Sequence, residues 1–184
     1  MVIARASAQA TFPARFTLVI AASPCPCTST AAAPRQGTGC RCSPAARRRY
    51  IGRLSGPLLD RVSVKVPLQP LSREGLLISR ASREPSAIAA QRVAAARERS
   101  AARLAGTPWR LNAEIPGSHL RRAFPPSAGS LKPLERAIEL GQVSARGADQ
   151  IIRVAWTLAD LAAKNQPGPD EINLAIALRL GTTP

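Results

Sequence analysis

Apolar positions along residues 143–161, VSARGADQIIRVAWTLADL, fall at helical spacing, with Ile151, Val154, Ala155, Leu158 and then Ala162 on one stripe. Ser144 precedes the stripe as a natural N-cap, so the pattern predicts a helix with an anchored face and a presented N-terminus. Arg146 lies in its first turn, where unpaired N–H groups and the helix dipole both favour an anion. Residues 86–104, SAIAAQRVAAARERSAARL, are almost uninterrupted helix formers stopped by Gly106, with their arginines on one side. Shorter helices are expected over 118–124, over 130–140 up to Gly141, and over 169–180. The last partly buries Ile172, Leu174, Ile176 and Leu178 and carries Asp170 and Glu171 as capping charges. Together these elements predict a small helical bundle over 86–184.

The first part of the chain has a different rhythm. Residues 15–22, RFTLVIAA, are a continuous apolar run with β-branched members that stops at Ser23-Pro24, the pattern of a strand buried on both faces. The C-terminal end of such a strand is where open α/β sheets place ligands, and Ser23 stands there. Residues 55–66, SGPLLDRVSVKV, open with a Gly56-Pro57 turn and then alternate at Val62, Val64 and Val66 as a half-buried strand. Between them, Arg47, Arg48, Arg49 and Arg53 mark a turn or two of basic amphipathic helix. That helix either meets phosphates or a neighbouring subunit, or is a solvated face. A Ser-, Arg- and Pro-rich linker over 71–85 separates residues 1–70 from the bundle.

The loop over 24–44 is rich in Pro, Gly, Ser and Thr and carries Cys25-Pro-Cys27 and Cys40-Arg-Cys42. Four thiols in two close pairs can converge on one tetrahedral zinc that orders a loop without a core. Disulfides and unmodified thiols are the alternatives. Other singular residues carry less: Trp109 has no neighbouring aromatic in sequence with which to form a stacking platform and is expected to pack. His119 stands alone and reads as a surface or capping residue.

Charge and composition sharpen the picture. The net charge is +15, almost all of it from arginine, and no acidic residue precedes Asp60. Such a surface attracts nucleic acid or another polyanion, although G+C-rich coding produces the same bias. The hydrophobic fraction is 45%, much of it alanine, and only 3% is aromatic, so burial per residue is modest. No run approaches the roughly 18 apolar residues of a membrane span. Residues 16–22 are short for a signal sequence and follow Pro13, so a cytoplasmic chain is expected.

Three stretches, ARFTLVIAASPCPC with CRCSPAARRRYIG, RLSGPLLDRVSVKV, and VSARGADQIIRVAWTLADL, resemble in order those of AAA+ ATPases of the magnesium-chelatase-related group, ComM/YifB-like branch. The resemblance implies a fold: a partial α/β AAA+ core over 1–70 followed by an all-α helical lid over 86–184. It also implies roles. Arg146 matches the sensor 2 arginine that contacts nucleotide phosphates, and Arg61 of LLDR matches an arginine finger reaching in trans to the next subunit. Ser23 occupies the sensor 1 position, where the family has asparagine. ATP, ring assembly and action on branched DNA follow from the same resemblance.

Family features are also missing from the sequence. It contains no GxxxxGK[ST] loop and no acidic strand end before Ser23, so nothing in it cradles phosphates or holds magnesium. The expectation is a C-terminal half that contributes to a site completed by another polypeptide, neither binding ATP tightly nor hydrolysing it alone. The two predicted strands would then lack the neighbour that both pair with. Ser63 and Trp156 stand where the family has aspartate and arginine, and with Ser23 they suggest relaxed constraint. The competing reading is a stand-alone, basic, zinc-stabilised module that binds nucleic acid without catalysis.

Overall fold

A computed structural model describes residues 2–13, 16–23, 25–29, 42–68 and 84–182. The chain divides into two compact units, Met1–Arg53 and Leu54–Pro184.

In the first unit, β1 (Val2–Arg5) pairs antiparallel with β2 (Ala8–Thr11), from Val2 opposite Thr11 to Arg5 opposite Ala8. Both strands are exposed along their whole length. A 3-10 turn (Pro26–Ser29) and α1 (Pro44–Ile51) follow. Helix α1 starts where sequence chemistry directs it: the Ser43 hydroxyl accepts the Ala46 N–H at 3.2 Å and Pro44 takes the first helical position.

The strand expected over residues 15–22 does not form among the described residues. Phe16 is 74% exposed and Val19 86%, and residues 16–23 form no ladder and no regular element. The physical reason is that a strand apolar on both faces needs two neighbours and two covering layers, and the described residues supply neither. The strand expected over 62–66 is likewise absent. One bond, from the Lys65 N–H to the Leu178 carbonyl at 2.7 Å, stands where a ladder was expected. The chain is therefore mostly helical, and the only sheet among the described residues is the β1–β2 hairpin.

The second unit contains α2 (Gly56–Leu59), α3 (Ser86–Leu104), a 3-10 turn (Asn112–Glu114), α4 (Gly117–Ala123), α5 (Lys132–Glu139), α6 (Ala145–Leu161) and α7 (Pro169–Leu180). The helical bundle is as the periodicity predicts. Helix α6 is its centre, packed on α7 and α3, with Ile151, Ile152, Ala155 and Ala159 buried. Trp156 is also buried. Its Nε1–H donates to the Phe124 carbonyl at 3.0 Å, and the Arg103 guanidinium lies 4.2 Å from its ring centroid. A tryptophan with its N–H satisfied and its face covered by a cation is held by packing. Trp109 packs as expected, although through space it does have aromatic neighbours. It meets His119 edge-on at 5.1 Å and Phe124 at 6.4 Å.

Arginines on one side of α3 bind it to the end of α6. Arg99 donates to the Asp160 carbonyl at 2.8 Å, and Arg103 pairs with the Asp160 carboxylate, which also accepts Asn112 Nδ2 at 3.2 Å. The negative end of the α6 dipole thereby meets cations, and the buried carboxylate is neutralised.

At the opposite corner Arg179, buried near the end of α7, gathers the segment after α2. Its guanidinium donates to the Asp60 carboxylate at 2.6 Å, to the Asp60 carbonyl at 3.1 Å, and to the carbonyls of Leu59 and Val62. These include the orphan acceptors at the end of a one-turn helix. Arg179→Met should cost about 2–4 kcal/mol, because it leaves a partly buried carboxylate without its counter-charge and the Asp60 and Val62 carbonyls without their donor. Asp60→Asn keeps an acceptor and should cost about 1 kcal/mol. Urea unfolding with an unchanged m-value measures both; equal losses would contradict the arrangement.

Glu171 closes the start of α7 on itself. Its carboxylate accepts the Gly168 N–H at 2.9 Å and the Lys164 ammonium at 2.7 Å. Burial penalises the Glu171 charge, but the hydrogen bonds from Lys164 and Gly168 outweigh it and hold the carboxyl below its ordinary value. The same bond raises Lys164 above its own. Because the folded value is depressed, the stabilisation is complete above the unfolded carboxyl value of about 4.3 and is lost as pH falls through the folded value. In thermal melts the gap between the unmodified chain and Glu171→Gln should stay constant down to about pH 5 and close below about pH 4. A gap that persists at acid pH would show that the charge is not what stabilises.

Candidate functional site

The residues singled out in the sequence fall in both units. Ser23, Cys25, Cys27 and Cys42 belong to the first, Arg61 and Arg146 to the second. Cys40 lies outside the described residues. Ser23 is half-buried at the end of a segment that forms no sheet strand.

In the second unit the first turn of α6 is built with care. Ser144 is its N-cap as expected: its hydroxyl accepts the Gly147 N–H at 3.0 Å and donates onward to the Asp60 carboxylate at 3.3 Å. Gly147 is buried, and a Cβ there would come within 3.0 Å of Val143 and 3.4 Å of the Arg179 Nε. The missing side chain is what lets Arg179 lie against this turn. The Gln150 side-chain amide donates to the Arg61 carbonyl at 3.4 Å. The segment carrying Asp60 and Arg61 is thus tied to the first two turns of the helix carrying Arg146.

The two arginines themselves stay outside these ties. Arg61 does not pair with Asp60, which Arg179 has taken; its guanidinium donates to the Pro57 carbonyl at 2.7 Å and is otherwise exposed. Arg146 is exposed in the first turn of α6 and has no ion pair among the described residues. Asp149, three residues on and close enough to neutralise it, is instead paired with Arg121.

A cleft of about 340 Å³ opens beside this turn, lined by Leu59, Asp60, Lys65, Gln142, Ser144 and Arg179 among others. An anion approaching the start of α6 meets partial positive charge from backbone N–H groups and full charge from Arg146, with the nearest carboxylate already neutralised. The sequence reading identified Arg146 and Ser144 but missed Arg179. The signal was available, because Arg179 continues the buried stripe of Ile172 and Ala175 at positions i, i+3 and i+7, where a charge has no place unless it is paired.

In the first unit three thiols converge. The sulfurs of Cys25, Cys27 and Cys42 all lie within 4.8 Å of one another, with Cys25 buried and the other two partly so. The Cys25 and Cys27 sulfurs are 3.1 Å apart, well beyond the roughly 2.05 Å of a disulfide.

Comparisons with known proteins match the chain in two consecutive stretches, and the first extends past the Arg53 boundary of the first unit. The family described as magnesium chelatase, subunit ChlI, matches residues 1–76, and magnesium chelatase, subunit ChlI C-terminal, matches residues 83–179. An uncharacterized protein of Mycobacterium tuberculosis is 47% identical over 177 residues, 96% of this chain and 34% of the relative. The uncharacterized protein YifB of Salmonella typhimurium is 33% identical over 180 residues, 96% and 33% of the two chains. The competence protein ComM of Haemophilus influenzae is 36% identical over 169 residues, 90% and 31%. The chain spans about a third of the length of these curated relatives. Matches in family order across both parts leave the separate nucleic-acid module without support. The chain belongs to the magnesium-chelatase-related family, among the ComM- and YifB-like proteins.

Proposed function

We propose that the chain forms part of an ATP-driven AAA+ ring that remodels branched DNA. In this reading Arg146 contacts the phosphates of a bound nucleotide. Arg61 reaches the nucleotide of the neighbouring subunit, where an always-charged, forked guanidinium offsets charge developing on the transferred phosphoryl group. Ser23 takes the place of the residue that orients the attacking water, as a shorter hydrogen-bonding group.

The observation that carries the reading is the state of Arg146. It is a cation at the positive end of a capped helix whose apolar face is locked in the core, and its natural intrahelical partner is engaged elsewhere. Such a side chain has nothing to do in the fold and is presented to an anion. Arg61 supports the same reading, since one carbonyl occupies its fork and the rest faces solvent. For DNA, the support is the net charge of +15 and the exposed Arg47, Arg48 and Arg49 of α1.

The sequence holds no GxxxxGK[ST] loop, so on this reading the chain by itself binds ATP weakly and turns none over. The test is made in a complete protein, by replacing the matching third of the Mycobacterium tuberculosis relative with this chain and measuring ATP hydrolysis and nucleotide binding. Arg61→Ala should lower kcat by about 10³-fold or more with ATP affinity kept. Arg146→Ala should weaken ATP binding by about tenfold to a hundredfold. Full activity in both variants would overturn the assignment.

A further inference from the structure

The first unit poses a folding problem that its apolar residues do not solve. Among its described residues the only buried hydrophobic side chain is Cys25, while Phe16, Leu18 and Val19 are more than half exposed. Helix α1 has eight residues, none of them buried, and three consecutive arginines. A helix that short is marginal without a tertiary anchor. Yet α1 is formed, and the 3-10 turn at Pro26–Ser29 packs against it. The anchor lies at its start: Cys42 directly precedes the Ser43 cap, and its sulfur meets those of Cys25 and Cys27.

We infer that Cys25, Cys27 and Cys42 bind one zinc ion as thiolates, and that this ion ties the N-terminus of α1 to the turn at Pro26–Ser29.

Distance and donor chemistry both support the assignment. Thiolates around one zinc at about 2.3 Å stand roughly 3.8 Å apart in a tetrahedron. The observed separations, 3.1 Å for Cys25 and Cys27 and no more than 4.8 Å for any pair, bracket that value. A small radial adjustment brings all three sulfurs to one centre.

The donor set selects the metal class. Every ligand is sulfur, and the sequence offers no Asp, Glu or His before Asp60. Magnesium and calcium, which require oxygen donors, are therefore excluded at this centre, and soft or borderline ions are favoured. Binding would provide the ordering free energy that burial does not provide here.

The inference concerns the first unit alone and stands whether or not the nucleotide-site reading holds. It is tested on the full chain, first without any substitution. Zinc is replaced by cobalt(II), and the absorption spectrum is recorded. The expected result is one metal per chain, thiolate-to-cobalt charge-transfer bands and the intense d–d bands of tetrahedral geometry. Limited trypsin digestion gives a second reading: cleavage at Arg47, Arg48 and Arg49 should be slow with zinc bound and at least tenfold faster after chelation, since a folded helix resists the protease. The Cys25→Ser variant should lose the metal and show the fast cleavage without chelator. Weak octahedral cobalt bands, a metal content well below one per chain after zinc loading, or digestion indifferent to chelation would overturn the inference.

Discussion

Arg179 is the contact on which the second unit depends. One guanidinium, buried near the end of α7, satisfies the Asp60 carboxylate and three backbone carbonyls of a segment that has neither a ladder nor a core of its own. Two features make this possible. Gly147 lacks the side chain that would keep Arg179 from α6, and Asp60 supplies the counter-charge that makes burial of the cation tolerable. Without that cation the Asp60 and Val62 carbonyls lose their donor, and single hydrogen bonds through Lys65, Gln150 and Ser144 are left to tie residues 60–66 to the bundle. The geometry around Arg61 and Arg146 is therefore set by a third arginine that touches neither.

Scarcity of acid shapes the rest. The chain has 26 basic residues and 11 acidic ones, so most guanidinium groups cannot find a carboxylate. Backbone carbonyls take that place: Arg99 on Asp160, Arg153 twice on Ile115, Arg61 on Pro57, Arg179 on Leu59, Asp60 and Val62. A planar fork with five donors suits carbonyls displayed at helix ends and turns, which a lysine ammonium would grip less specifically. This explains how an arginine-heavy sequence packs a bundle at all.

The helices and their caps were legible in the sequence because their determinants are local. Ser144, Gly106, Gly141 and the Ile151-Val154-Ala155-Leu158 stripe act within a turn or two, and α3, α6 and α7 fall where they point. Burial of Asp160 and Trp156 was not legible, because their partners Arg103 and Phe124 come from other helices. Neither was the exchange of Asp60 from Arg61 to Arg179, more than a hundred residues away. The β1–β2 hairpin carries no Gly or Asn at its turn to announce it, and the sequence reading did not find it. The run at 15–22 failed in the opposite way. Its composition is that of an interior strand, but strand formation depends on neighbours in space.

The same contrast separates the two units energetically. The second buries Leu120, Ile151, Ile152, Trp156 and Ile172 around one centre, so the hydrophobic effect drives its assembly. The first places Phe16, Leu18, Val19 and Ile20 in solvent and buries, among its described residues, only a cysteine. A segment whose apolar side chains face water gains little from collapse, and its order must come from bonds of another kind or from surface supplied by another polypeptide segment. Thiolate chemistry at Cys25, Cys27 and Cys42 answers the first need at α1 and leaves the second open at residues 16–20. An apolar run that is exposed here and reads as an interior strand is a surface that a covering sheet would bury. Relatives of about three times this length have ample chain from which to build one.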